Sequence, residues 1–520
     1  MRCATQDQIQ FDSFAQTLPI FLQFISNAPA MVRAPAWLSL LLISLAAFAA
    51  DNDSEKLIQE AMKPSALETN LRRLTDEIGG RVPGTPAMQR AADWAVAAFK
   101  EAGADSVQTE PFTIQQSWSE GATTLTASTY GSATLFPVKA VSIAWAPALT
   151  ASSHIPIVDV GEGTQADFGK AGDLSGKLLL VHTKVLKSWV DLFWEYEQAP
   201  SVIARAVKGK AKAAAFMGTR ENDILYRHTN SVYGEIDKLP MAIVAREDGE
   251  RIARLLAAGT PVWADLAMPN KVGGPIKSWN VVAEIRGNDK PDEFVVLGAH
   301  LDSWELGTGA LDNGCNAALV VDALRAIRNS GLKPRRTIRF ILFSGEEEGL
   351  IGSRMYAVNH RNELDKAAGV VIFDAGTGKV TGFSTGGRKD TIAPAQAMLS
   401  SLEPFGATKL TPSAESGTDH FDFMLEGVPT FFADQDEANY LVNYHATSDT
   451  YDKVDFPQLK KHVTEAVVLT FALANSAERV GPRLGRAQVE QTLHETHLDD
   501  EMKAMGMWQD WINGKRGRER

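Results

Sequence analysis

The sequence predicts an α/β protein: a mixed, mostly parallel β-sheet sandwiched by helices, with a β-rich module inserted into it. Three observations lead there. Four apolar runs, FVVLGA (294–299), TIRFILF (337–343), GVVIF (369–373) and PTFFA (429–433), are almost unbroken, as strands covered on both faces must be. Between the first two lies NAALVVDALRAIRNSG, with Val320, Ala323, Leu324 and Ile327 on one stripe and Gly331 past its end, the pattern of an amphipathic helix with a glycine stop. Strand, loop and helix then keep alternating, which argues for helices on both faces of one sheet. By contrast, residues from about 118 to 275 carry short β-rich runs (TLFPVKAVSIAW, HIPIVDVG, KLLLVHT, AAAFMG, LPMAIVA) between polar turns.

The chain can be divided in order. Its 520 residues exceed one ordinary core, so two or more domains are expected. Apolar content of 44% and charged content of 22% are those of a soluble globular protein. A formal net charge of −12 argues against nucleic acid as a partner, because neutralising phosphates needs a basic face. Met31-Val32-Arg33, the apolar run Trp37 to Phe48, the small-residue site Ala47-Phe48-Ala49 and the polar Asp51-Asn52-Asp53 have the layout of a secretory signal peptide at 31–49. Residues 1–30 then read as an upstream mis-extension, and the mature protein as secreted or periplasmic; an uncleaved membrane anchor is the alternative. Of the two cysteines, Cys3 and Cys315, only Cys315 would survive cleavage, leaving no internal disulfide. Residues 51–117 open the α/β domain: Gly79-Gly80-Arg81-Val82-Pro83-Gly84 is turn-rich, and Ala92, Ala95, Val96 and Phe99 mark a helix stopped at Gly103. Residues 118–275 form the insert, 276–480 resume the α/β domain, and 481–520 read as a solvated, charged tail with a helix through Val489–Met502.

Five residues stand out by position: His300, Asp312, Glu347, Asp374 and His445. Three apolar strands run directly into polar groups: FVVLGA into His300-Leu301-Asp302, TIRFILF into Ser344-Gly345-Glu346-Glu347, and GVVIF into Asp374. Open α/β sheets bind ligands beyond the carboxyl ends of their strands, and oxygen plus imidazole donors converging on one edge suit a two-metal hydrolytic centre. Asp302 is the candidate carboxylate to orient the His300 ring. Asp312 sits in the glycine-flanked Gly309-Ala310-Leu311-Asp312-Asn313-Gly314 and has two oxygens with which to bridge two cations, although an Asp helix cap reads the same way. Burying the adjacent Glu346 and Glu347 without a cation is costly; with one, they can split roles, one ligating while the other stays free as a base. His445 lies in the polar loop Asn443–Thr450. His494-Glu495-Thr496-His497 lacks the i, i+4 spacing of a helical metal site.

The strings GAHLDSWELGTGALDNG, FSGEEEGLIGS, FDAG and NYHATSDT resemble those of the di-zinc aminopeptidase and glutamate carboxypeptidase family, over roughly 65–115 and 277–475. HLDSW, ALDNG and DAGTG resemble most its plasma glutamate carboxypeptidase (carboxypeptidase Q) branch, and 118–275 resembles the protease-associated domain that some members insert. The resemblance implies a zinc-peptidase type of sheet and two Zn²⁺ per chain, with Asp312 bridging, His300 and Asp374 completing one site, and Glu347 and His445 the other. It implies Glu346 as general base, Asp302 as orienting group, Tyr444 as an oxyanion contact, and Asp419 and His420, in Glu415–His420, as substrate contacts. The implied activity is that of a metallo-exopeptidase removing N-terminal residues or cleaving dipeptides; the implied partners are short peptides and a second copy in a homodimer. Two other readings are a glutaminyl cyclase-like acyltransferase, which uses one zinc, and a carboxypeptidase acting on short peptides.

Overall fold

The apolar runs become the middle of an eight-stranded sheet. The computed structural model describes residues 52–129, 134–231 and 233–519. Lys56–Arg520 form one compact unit; of the other, Met1–Glu55, only residues 52–55 are described. The sheet runs in the order Ser106–Ile114, Ile276–Ile285, Arg336–Phe343, Lys290–His300, Ala367–Ile372, Thr430–Gln435, Val380–Ser384, Lys409–Thr411. Its four middle strands, Arg336–Phe343 to Thr430–Gln435, are mutually parallel. The pairings of Ser106–Ile114 with Ile276–Ile285, of Ile276–Ile285 with Arg336–Phe343, and of Val380–Ser384 with Thr430–Gln435 are antiparallel. The sheet is therefore mixed and mostly parallel.

Burial on both faces explains why these runs are almost wholly apolar. Val295, Leu297, Phe340, Leu342 and Val371 pack on one face with helices Cys315–Asn329 and Phe456–Asn475. Their neighbours Phe294, Val296, Ile341, Phe343, Val370 and Ile372 pack on the other, against Tyr356 of helix Ile351–Asn359 and Phe423 of His420–Leu425. Each such burial stabilises the fold by about 1.5–3 kcal/mol. The helix Pro86–Glu101 is capped by Thr85, whose Oγ1 accepts from Met88 N at 3.3 Å, and the chain turns at Gly103, φ 92°.

Register carries the polar residues to one level. His300 ends its strand opposite Phe343, and Gly298 lies opposite Ile372. Two residues further on, Asp374 is level with His300, while Ser344–Glu347 leave the end of the adjoining strand.

Residues 124–268 form a second eight-stranded sheet, ordered Thr134–Val138, Thr124–Thr129, Val262–Met268, Leu149–Asp159, Leu178–Val181, Ala213–Met217, Met241–Val244, Ala140–Ser142. Its longest helix, Trp189–Lys208, starts at a Ser188 cap on Asp191 N.

The C-terminal segment corrects an expectation. It is not a solvated tail but three short helices, Arg486–Glu495, Leu498–Ala504 and Trp508–Ile512. Leu493, Leu498, Met502, Met507 and Trp511 are buried with Leu350, Phe421 and Leu425. Arg516, from the basic end, is fully buried and donates two hydrogen bonds of 2.8 Å to Asp422. Few apolar residues, spread among charges over three short helices, give no periodic signal, and the partner of Arg516 lies far away in sequence. The expected signal segment at 31–49, and residues 1–30 before it, fall outside the described residues. Among the described residues, no helix is long and apolar enough to cross a membrane.

Candidate metal centre

The five singled-out residues meet at the carboxyl edge of the parallel strands. His300 Nε2 is 3.1 Å from Asp312 Oδ1 and 3.1 Å from Asp374 Oδ1. His445 Nε2 is 2.8 Å from Glu347 Oε2 and 3.3 Å from Asp312 Oδ2. Two donor groups result, His300–Asp312–Asp374 and Asp312–Glu347–His445, the donor atoms of each within 4.8 Å of one another. Asp312 belongs to both, one oxygen towards each imidazole.

The shelf beneath them is held by backbone contacts. Gly309, φ 61°, opens the turn into Ala310–Gly314, and the Asp312–Asn313 peptide is cis. Asp449 accepts from Leu311 N at 2.7 Å and Asp312 N at 3.1 Å. Arg81, fully buried, donates to the carbonyls of Leu301 (2.6 Å), Thr308 (2.8 Å), Gly309 (2.8 Å) and Gly79 (3.1 Å). Asp302 differs in detail from expectation. His300 Nδ1 faces the Asp302 carbonyl at 3.0 Å, with the carboxylate at 3.7 Å. That carboxylate instead accepts from Glu347 N at 3.2 Å, tying two strand ends together. The chain turns so sharply after His300 that the backbone oxygen reaches the ring first.

The electrostatics favour a bound cation. Burial pushes the Glu347 carboxyl well above its usual range, and Asp312 adds to the shift. Burial also raises Glu346 and Asp374, with the His300 imidazole opposing in both. Asp312 alone goes the other way: burial pushes it up, but the neighbouring imidazoles of His300 and His445 hold it well below the carboxylate range. Glu347 Oε1 and Asp312 Oδ2 are buried without a hydrogen-bond partner. Too many buried carboxylates for two imidazoles, with orphaned oxygens among mixed imidazole and carboxylate donors, fit zinc.

Glu346, Tyr444 and four of the five donors (all but His300) line one cavity of about 170 Å³. The Tyr444 ring stacks on His445 at 3.6 Å, and its hydroxyl is 3.4 Å from that of Tyr196. Asp419 and His420 are buried away from the cavity, His420 stacking on Phe432 at 5.3 Å; the loop reaches the cavity through Ser416 and Gly417 instead. Cys315 is buried at the start of its helix, its thiol donating to Leu311 O.

Sequence reasoning missed the contribution of the insert. Arg220 Nη2 donates to Tyr444 O at 2.7 Å, Arg227 N to His445 O at 3.0 Å, and Thr447 N to Leu225 O at 2.9 Å. Tyr226 forms a bridge to Ala446, and its hydroxyl donates to the buried Glu195. These contacts grip a loop whose His445 has φ 58°, a left-handed backbone that a non-glycine residue keeps only when its surroundings hold it. No local pattern marks such residues, although Arg81 and Asp449 sit inside strings already singled out.

Residues 280–470 match the model of Peptidase family M28. Carboxypeptidase Q of Rattus norvegicus is 33% identical over 243 residues, 47% of this chain and 51% of that protein; the chain thus spans about half the length of the first curated relatives it matches. Carboxypeptidase Q of Xenopus laevis is 26% identical over 82% of this chain and 90% of that protein. The crystal structure of a Peptidase M28 precursor from Shewanella amazonensis SB2B superimposes with a TM-score of 0.76 at 27% identity, over 84% of this chain and all of that one. The matched segment, residues 280–470, carries the strand ends on which the donors meet, and over that segment the chain is similar to Peptidase family M28.

Proposed function

We propose that the chain is a zinc-dependent exopeptidase, exported from the cytoplasm, that removes N-terminal residues from short peptides or cleaves dipeptides. The observation that supports this most is the shared carboxylate, Asp312, whose two oxygens face different imidazoles at 3.1 and 3.3 Å. His300, Asp374 and Asp312 would hold one Zn²⁺, and Glu347, His445 and Asp312 a second. Zinc bound there supplies a Lewis acid that polarises the peptide carbonyl and makes water a nucleophile near neutral pH.

The chain's own residues do the rest. Glu346 lines the cavity beside the donors. Burial and its acidic neighbours raise its proton affinity, as a base that must take and return a proton requires. It takes the proton of the attacking water and delivers it to the departing amine nitrogen. The Asp302 carbonyl orients the His300 ring, and the Asp302 carboxylate anchors Glu347 N. Tyr444 lines the same cavity, and its hydroxyl would donate to a developing oxyanion. Among the described residues, no Lys or Arg lines the cavity, so a substrate's C-terminal carboxylate finds no basic side chain there, whereas a free α-ammonium meets carboxylates. This favours action at the amino end over the carboxyl end.

Glu346→Gln tests the reading. The variant should hold the same zinc as wild type by elemental analysis, two ions per chain, and lose about 10²-fold or more in kcat, the usual scale for lost acid–base catalysis. Near-native turnover would refute the base assignment. One zinc per chain would favour the acyltransferase reading.

A further inference from the structure

The floor of the cavity belongs to the family segment, but much of its wall does not. Trp189, Phe193 and Tyr196 reach it from the insert helix Trp189–Lys208, and Met505 and Met507 from the link between the last two helices. These two outer pieces meet the family segment at the loop Ser416–Gly417. The Phe193 ring stands so close to Gly417 that an added Cβ there would touch it at 3.4 Å. Ser416 Oγ donates to Glu501 Oε2 at 2.8 Å, and the Trp189 ring packs on Tyr440 at 5.6 Å. The C-terminal piece is firmly seated: Met507 is buried with Leu350 and Phe421, and Arg516 pins the chain end to Asp422. The side facing the carboxylates is polar; the insert helix and the C-terminal link present aromatic and thioether side chains, and Thr229, Asn230 and Ser231 of the insert add a polar strip.

We propose that the insert helix and the C-terminal segment together form a specificity pocket for one bulky apolar or aromatic side chain of the residue beside the scissile bond, with Phe193 and Met505 as the residues that set its size. The inference rests on the exopeptidase reading for its reaction, but not for its binding. A methionine wall suits such a pocket, since its flexible thioether packs against rings of differing shape. An apolar pocket of this kind discriminates by roughly 10- to 200-fold for each methylene it rewards.

Two measurements on the full-length, zinc-loaded protein test this. Calorimetry should show phenylalanine amide binding at least tenfold more tightly than alanine amide. In hydrolysis of Phe-Gly and Ala-Gly, the kcat/KM ratio should favour Phe at least tenfold. Met505→Trp, which fills the cavity, should lower both Phe-to-Ala ratios at least tenfold. Phe193→Ala, which enlarges it from the opposite wall, should raise preference for Trp over Leu in both assays; melting curves identify the correctly folded variants. If phenylalanine amide binds no better than alanine amide, or folded variants of both residues keep ratios within threefold of wild type, the pocket assignment is overturned. If the selective, Met505-dependent binding holds while no peptide is cleaved, the pocket stands and the exopeptidase reading falls.

Discussion

Replacing Arg81 with methionine should destabilise the protein by about 4 kcal/mol. The guanidinium is fully buried and donates to the carbonyls of Leu301, Thr308, Gly309 and Gly79 at 2.6 to 3.1 Å. Burial pulls it down to about 10, with Asp449 and Asp302 opposing, so it is charged at neutral pH. Each carbonyl left without a donor costs about 1–3 kcal/mol. Four of them give roughly 4–12 kcal/mol, from which relief of the buried charge subtracts several. The middle of that range, about 8 kcal/mol, less about 4 for the relieved charge, leaves about 4 kcal/mol as the figure to test, and it still exceeds most single substitutions. Arg81→Lys should recover only part of this, because one ammonium cannot span carbonyls that a planar fork reaches together. Urea denaturation of wild type and both variants, with matched zinc, measures the differences. If Arg81→Met costs under about 1.5 kcal/mol, or Arg81→Lys equals wild type, the buried guanidinium is not what holds the turn from Leu301 to Gly309, and the explanation of the shelf fails.

Two further outcomes follow from the same structure. On the proposed function, Asp312→Asn removes the charge shared by both donor groups, so elemental analysis should find less than one zinc per chain, against two in wild type; two retained would refute the bridging role. Glu465 is fully buried with neither carboxylate oxygen hydrogen-bonded, and burial raises it from 4.5 to about 8. A folded-state value above the unfolded one means that the native protein holds a proton the unfolded chain has released, so stability falls as pH rises from about 4.5 to 8, by up to about 1.4 kcal/mol per unit. Glu465→Gln, which does not titrate, should therefore gain stability relative to wild type between pH 5 and pH 8 in urea melts; an equal difference at both values would contradict the buried carboxyl.

What the sequence made legible were features written in consecutive residues. The four buried strands, the helices after Pro86 and Cys315, and the polar residues directly following each strand could be read because period and burial are local properties. The meeting of His300 with Asp374 could be anticipated because parallel strands in register bring their ends to one level. The C-terminal segment was not legible: its few apolar residues gain meaning only against Leu350 and Phe421, which lie far upstream in the chain. Nor were the oxygens of Asp302 sorted, since carbonyl and carboxylate of one residue compete for the same ring and only the backbone turn decides between them.

The insert shows why such residues matter to chemistry without bearing any. A left-handed His445 is worth its backbone cost only if its ring is fixed, and its own loop is too short and polar to fix it. Arg220, Arg227 and Leu225 close that loop from outside through main-chain contacts of 2.7 to 3.0 Å, while Tyr196, on the same module, meets the Tyr444 hydroxyl. Main-chain contacts constrain where the histidine backbone sits but little of which side chains surround it. A module joined in this way can therefore vary its outer surface and its pocket wall while the donor geometry stays constant, which is how one metal shelf can serve pockets of different size.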